Sequence, residues 1–77
     1  MTTAQILLNT MEAVKEFTEI ISGVEGEVDL VLGRYVVDAK SIMGIFSLDV
    51  SEPLELRIHK GQEQAEQILE KLQKYLV

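Results

Sequence analysis

Apolar and polar positions along this chain switch between two rhythms, and each switch predicts an element. Residues 3–8 (Thr3 to Leu8) put Ala4, Ile6 and Leu8 on one side by alternation, which predicts a strand. From residue 11 the spacing becomes helical. Met11, Val14, Phe17, Ile20 and Ile21 line one face, and Glu12, Lys15, Glu16 and Glu19 line the other. Asn9 with Glu12 three residues on has the spacing of a capping box, so the helix is expected to start at Asn9–Thr10. It is expected to stop near Ser22-Gly23, where glycine can take the left-handed terminal conformation.

Strand rhythm returns at Glu27–Leu32, with Val28, Leu30 and Leu32 on one face. Gly33-Arg34 separates this run from Tyr35-Val36-Val37, which predicts a hairpin with a type II′ turn. Ser41, a good N-cap, precedes a short helical run through Leu48. Pro53 opens a last strand in which Leu54, Leu56 and Ile58 alternate with Glu55, Arg57 and His59. After Gly61, a final helix carries the stripe Ala65, Ile68, Leu69, Leu72 and Leu76, which is expected to bring the carboxyl end into the core through Leu72 and Leu76. Glu63 and Glu66 lie near its positive end and Lys71 and Lys74 near its negative end. Glu70 and Lys74 form an i,i+4 pair expected to contribute a few tenths of a kcal/mol.

The predicted order is β-α-β-β-α-β-α. Four strands that alternate apolar and polar faces need one side covered, and two long amphipathic helices can cover it. The expected fold class is α+β, an open-faced two-layer sandwich with helices on one face of a four-stranded antiparallel sheet.

Length sets the scale of that core. The chain has 77 residues, which suits one domain over residues 1–77. A domain of this size buries about 60–65% of the surface its unfolded chain exposes. The chain contains no cysteine, so disulfides and thiolate metal sites are excluded and apolar packing must hold the fold.

Charge narrows the partners. Acidic residues outnumber basic ones 13 to 7 and the net charge is −6. The basic residues are scattered, whereas nucleic-acid binding usually needs a concentrated basic patch. Nucleic acid is therefore set aside in favour of a protein partner with a small basic surface. No stretch approaches the roughly 20 apolar residues that span a bilayer, and the amino-terminal residues do not read as a signal peptide. The expected location is cytoplasmic, without membrane attachment.

The run Lys40-Ser41-Ile42-Met43-Gly44-Ile45-Phe46-Ser47-Leu48 departs from simple amphipathicity. A short helix buries one face, yet five of these residues are large and apolar. Ile45 and Leu48 are expected inward, leaving Ile42, Met43 and Phe46 partly exposed as a protein-docking patch. The competing reading packs all five beneath a loop.

This nine-residue run resembles the segment around the regulatory serine of HPr, the histidine-containing phosphocarrier of the bacterial phosphotransferase system. The predicted order of strands and helices is also similar to that of HPr along essentially the whole chain. The resemblance implies phosphorylation of Ser41 by an ATP-dependent HPr kinase/phosphorylase. It also implies docking of phosphotransferase-system proteins or their regulators through Lys40, Ile42, Met43 and Phe46. A phosphate at a helix N-terminus meets free N–H groups, and Lys40 lies beside it. Ser41 also suits a plain N-cap.

The resemblance fails where HPr carries its phosphoryl group. HPr has His-Ala-Arg-Pro at the start of its first long helix. Counting back from Ser41 without gaps puts Thr10 at the histidine position, with Met11, Glu12 and Ala13 after it. A threonine hydroxyl is a poor nucleophile without a base, and glutamate repels phosphate where arginine attracts it. The one histidine, His59, lies at the end of the last strand and reads as a solvated polar residue with no Asp or second His at metal spacing. Glu12, Glu16 and Glu19 read as a wet helix surface. No catalysis, cofactor or metal is expected. The leading expectation is a non-catalytic HPr-like regulatory protein. The alternatives are a structural or self-associating module without phosphate chemistry, and a phosphoryl carrier acting through Thr10.

Overall fold

Each alternating run becomes a strand and each run with helical spacing a helix. The computed structural model describes residues 1–77. The strands are β1 (Thr2–Ile6), β2 (Val28–Leu32), β3 (Tyr35–Asp38) and β4 (Leu54–Ile58). The helices are α1 (Met11–Ser22), α2 (Ile42–Phe46) and α3 (Gln62–Lys71), and a 3₁₀ turn spans Gln73–Tyr75. The order is the predicted β-α-β-β-α-β-α.

The strands form one antiparallel sheet in the order β1-β4-β2-β3. Register places Leu56 between Ala4 and Leu30, and Ile58 between Thr2 and Val28, so one face collects the apolar residues. Arg57 falls between Thr3 and Asp29 on the other face, and Glu55 between Gln5 and Val31. Val14, Phe17 and Ile21 of α1 and Ala65 and Ile68 of α3 join the apolar face in a single buried cluster. Every buried residue is apolar except for the hydroxyl of Tyr75. Ion pairs therefore lie outside the core, and burial of apolar surface supplies the stability.

The hairpin closes as expected. Leu32 pairs with Tyr35 across Gly33-Arg34, and Gly33 takes φ 59° while Arg34 does not enter the left-handed region. Positive φ at the first loop residue only is the type II′ pattern.

Several boundaries differ from the sequence reading, each for a local reason. β1 starts one residue early and ends two residues early, the latter because from Leu7 the chain bonds to the carboxyl-terminal turn instead of β4. Gly23 ends α1 with φ −83°, which is not left-handed; Gly26, at φ 97°, makes the reversal. Met11 is the first residue of α1 and is 62% exposed rather than part of the apolar stripe.

The largest difference is at the end of α3. Leu72 leaves helical geometry (φ −102°, ψ 11°), and the tighter turn follows. In an α-helix residue 76 would sit over residue 72, whereas in a 3₁₀ turn residues three apart eclipse. Tyr75 therefore joins Leu72 in the core and Leu76 turns outward. Lys74 then lies beyond the helix and pairs with Glu16, not with Glu70. The backbone of Leu76 bridges Ile6 on the outer side of β1.

Candidate functional site

Two helix starts carry the residues singled out above. At α1, Asn9 has φ 56°, and its N–H donates to the Val50 carbonyl at 2.9 Å. Asn9 is thus not the cap. Thr10 is extended (φ −136°, ψ 159°), and its Oγ1 accepts from the Ala13 N–H at 3.1 Å. Thr10 is the N-cap, one residue later than the Asn9–Glu12 pattern implied, and Glu12 is left exposed.

Around Thr10 lies a shallow depression lined by Glu12, Ala13, Glu16, Lys74 and Tyr75. The Tyr75 hydroxyl donates to Glu16 Oε1 at 2.6 Å, and Lys74 pairs with the same oxygen. Lys74 and then Tyr75, by hydrogen bonding, hold the Glu16 carboxyl below its ordinary range. Burial, and then the Glu16 carboxylate, push the Tyr75 phenol up to about 12. Glu16 is therefore not simply a wet-face residue. The only cation in the depression is already engaged by a carboxylate, and a second carboxylate, Glu12, lies beside it. Such a surface offers little to an anion.

At α2, Ser41 is also extended (φ −98°, ψ 105°), and its Oγ accepts from the Gly44 N–H at 3.1 Å. Gly44 faces Val37 closely; an added Cβ would stand 3.3 Å from the Val37 Cβ, so glycine lets this short helix settle on β3. Ile45 and Leu48 are buried, and Ile42 is half-buried against the core. Met43 is 79% exposed and Phe46 43%. Lys40 is exposed and belongs to no ion pair. The expected split of this segment into inward and outward residues is present.

α1 packs against α2, and the Asn9–Val50 hydrogen bond ties the approach to α1 to the segment that follows α2. Met11, which the helical spacing had assigned to the core, is exposed at the first position of α1. His59 is elsewhere, on the open face. Its Nε2 lies 2.9 Å from Asp29 Oδ2, so it has an acidic partner that sequence spacing concealed, thirty residues away and across the β2–β4 ladder.

The sequence reading missed the Glu16–Tyr75–Lys74 group. Leu72 and Tyr75 are spaced for a 3₁₀ turn, but the same stretch also offers Leu72 and Leu76 at α spacing, and the second pattern is the stronger signal.

Comparison with known proteins accords with this architecture. Residues 10–77 match the family model described as the PTS HPr component phosphorylation site. A similar solved structure is the crystal structure of HPr-C-His from Thermoanaerobacter tengcongensis, with 26% identity and a TM-score of 0.74. The similarity covers 94% of this chain and 90% of that one. No curated protein sequence matches the chain. The family match spans nearly the whole chain and the sheet, helices and element order are shared, so the chain belongs to the HPr family of the phosphotransferase system.

Proposed function

We propose that this chain is a non-catalytic regulatory member of its family, docking protein partners of the phosphotransferase system or its regulators through Lys40, Ile42, Met43 and Phe46. Phosphorylation of Ser41 modulates that docking. The observation that carries the reading is the contrast in what surrounds the two capping hydroxyls. Thr10 stands among Glu12, Glu16 and an engaged Lys74, whereas Ser41 stands beside a free Lys40 and the exposed Met43 and Phe46.

The chemistry supports this assignment. A phosphoryl group on Ser41 adds about −1.5 to −2 charges next to an apolar surface. Its oxygens meet the N–H groups that open α2, one of which already bonds to Ser41 Oγ, and Lys40 offsets part of the charge. A partner that buries Met43 and Phe46 then meets a desolvated dianion at the rim, and binding weakens unless that partner carries arginines. At Thr10, by contrast, no histidine or free carboxylate hydrogen-bonds to the hydroxyl, which accepts from Ala13. No base is positioned to activate it.

The experiment is intact-mass spectrometry after two parallel incubations. One contains HPr kinase/phosphorylase with ATP, the other phosphoenolpyruvate with the first enzyme of the system. The expected result is one phosphate from the kinase arm, absent in Ser41→Ala, and none from the phosphoenolpyruvate arm. Phosphate from phosphoenolpyruvate that is lost in Thr10→Ala would instead make the chain a carrier. No phosphate in either arm would reassign it to binding or assembly without phosphate chemistry.

A further inference from the structure

The two outer strands of the sheet end differently. The free side of β1 is covered by the carboxyl-terminal tail from Gln5 onward. Leu7 N–H donates to the Tyr75 carbonyl at 2.8 Å, and Val77 N–H to the Gln5 carbonyl at 3.1 Å. No strand lies beyond β3. Tyr35 and Val36 on it are 65% and 56% exposed. β3 is short and its last residue, Asp38, is charged, but no lysine and no proline falls within Tyr35–Asp38.

Geometry says which backbone groups are free. The two-residue loop closes on Leu32 and Tyr35, and antiparallel bonding alternates from there. Tyr35 and Val37 bond inward to β2, and Val36 and Asp38 aim outward. The Asp38 carbonyl already accepts from Ser41 N–H at 3.0 Å. The Val36 N–H and carbonyl and the Asp38 N–H remain.

The edge also carries unanswered charge. The ion pairs of the chain are Arg57–Glu55, His59–Asp29 and Lys74–Glu16. Arg34 and Asp38 belong to none of them. Asp38 stands directly opposite Asp29 on β2, an unfavourable juxtaposition of like charges. One of its oxygens accepts from the Lys40 N–H at 2.9 Å, and the other faces no cation.

We propose that a second copy of this chain pairs its own β3 antiparallel along this edge, about a twofold axis at Val36. The register follows from the free groups. With Val36 opposite Val36, their N–H and carbonyl groups bond reciprocally, and Asp38 of each copy lies beside Arg34 of the other. Tyr35 then packs beside Val37 of the second copy, an aromatic–β-branched pair. A shift of one residue sets outward-facing groups against inward-facing ones. A shift of two brings Arg34 opposite Lys40, and a shift the other way removes Asp38 from the overlap. The net charge of −6 on each copy opposes contact elsewhere, whereas the stretch Arg34–Lys40 alternates in sign. The contact uses a strand edge and not the outward residues of α2 proposed for docking. Its overlap is short, well below the ~1,200 Å² of stable interfaces, so the dimer is weak and forms at high concentration.

Sedimentation equilibrium of the full chain over a concentration series tests this, together with single-cysteine variants that the cysteine-free sequence makes clean. The expected result is a mass rising from 8.6 kDa toward the dimer, and no rise for Val36→Lys. Arg34→Glu weakens association without abolishing it. Under mild oxidation Val36→Cys crosslinks to itself, because hydrogen-bonded opposite residues lie about 5.5 Å apart at Cα, within disulfide reach. Tyr35→Cys does not, because it faces position 37 of the second copy. Both sites are exposed, and circular dichroism verifies the fold. A native chain that stays monomeric at millimolar concentration would overturn the proposal. So would dimerisation unchanged in Val36→Lys, or equal crosslinking at positions 35 and 36.

Discussion

The starts of α1 and α2 are locally the same device. In each, an extended hydroxyl residue accepts a hydrogen bond at 3.1 Å from the N–H three residues on. Their surroundings separate them. The start of α1 is crowded by carboxylates and tied down by the carboxyl-terminal turn through Glu16, Tyr75 and Lys74. The start of α2 keeps an unpaired lysine and presents Met43 and Phe46 to solvent. A cap explains why each hydroxyl is where it is. Only the neighbours decide whether it can also carry charge.

The sharpest test of that contrast is chemical. Ser41→Ala is expected to remove all kinase-dependent phosphate, and Thr10→Ala none of it, as read by intact mass. Phosphate retained in Ser41→Ala would erase the distinction between the two ends.

Next in size is docking. Met43→Asp or Phe46→Asp is expected to weaken binding of a phosphotransferase-system partner by about tenfold or more, measured by calorimetry, because exposed anchors commonly contribute 1–2 kcal/mol or more. Glu12→Ala is expected to change it far less. Equal losses at both ends would make them one surface.

The tie at the α1 end has a pH signature. The Tyr75 phenol is raised from 10.0 to about 12, so the folded state holds its proton after the unfolded chain has released it. That stabilisation is complete below pH 10 and is lost as pH rises from about 10 to about 12. Denaturant unfolding is expected to show a fall on the order of 1–2 kcal/mol across that window. Tyr75→Phe should remove this fall. The Glu16 carboxyl is depressed, so its contribution is present above its ordinary value of 4.5 and fades as the solution is acidified below it.

The caps themselves give the smallest effects. Thr10→Ala and Ser41→Ala are each expected to cost about 1 kcal/mol, seen as a drop of about 4–8 °C in Tm. Nearly equal losses would confirm that the two hydroxyls are alike as caps and differ only in their surroundings. For scale, Phe17→Ala in the core is expected to cost about 3–5 kcal/mol, a large part of the stability of a chain this short.

Much of the fold was legible because the core is made of elements with clean periods. Val28 and Leu30, and Leu54, Leu56 and Ile58, repeat every second residue and all face the helices. Val14, Phe17 and Ile21 repeat at helical spacing and meet them. Ser41 was legible as a cap, and the outward Met43 and Phe46 follow from a helix too short to bury five apolar side chains. Asn9 misled because its spacing to Glu12 imitates a capping box, while the bond to Val50 holds it in the left-handed region and passes the cap to Thr10. Met11 misled because the first residue of a helix can match the stripe in phase and still project beyond the layer it would cover.

The element order, the faces that β1, β2 and β4 bury, the two-residue hairpin and a hydroxyl at the starts of α1 and α2 were all fixed by the sequence alone. Those features depend on residues within a few positions of one another. Tertiary structure decided the rest. It turned Tyr75 inward and Leu76 outward, joined Tyr75 to Glu16 across 59 residues, gave His59 its partner Asp29, and covered the end of the β1 edge while leaving no strand beyond β3. The physical reason is that these contacts join side chains and strand edges far apart in sequence. Local periodicity limits which partners are possible, but the packed layers choose among them.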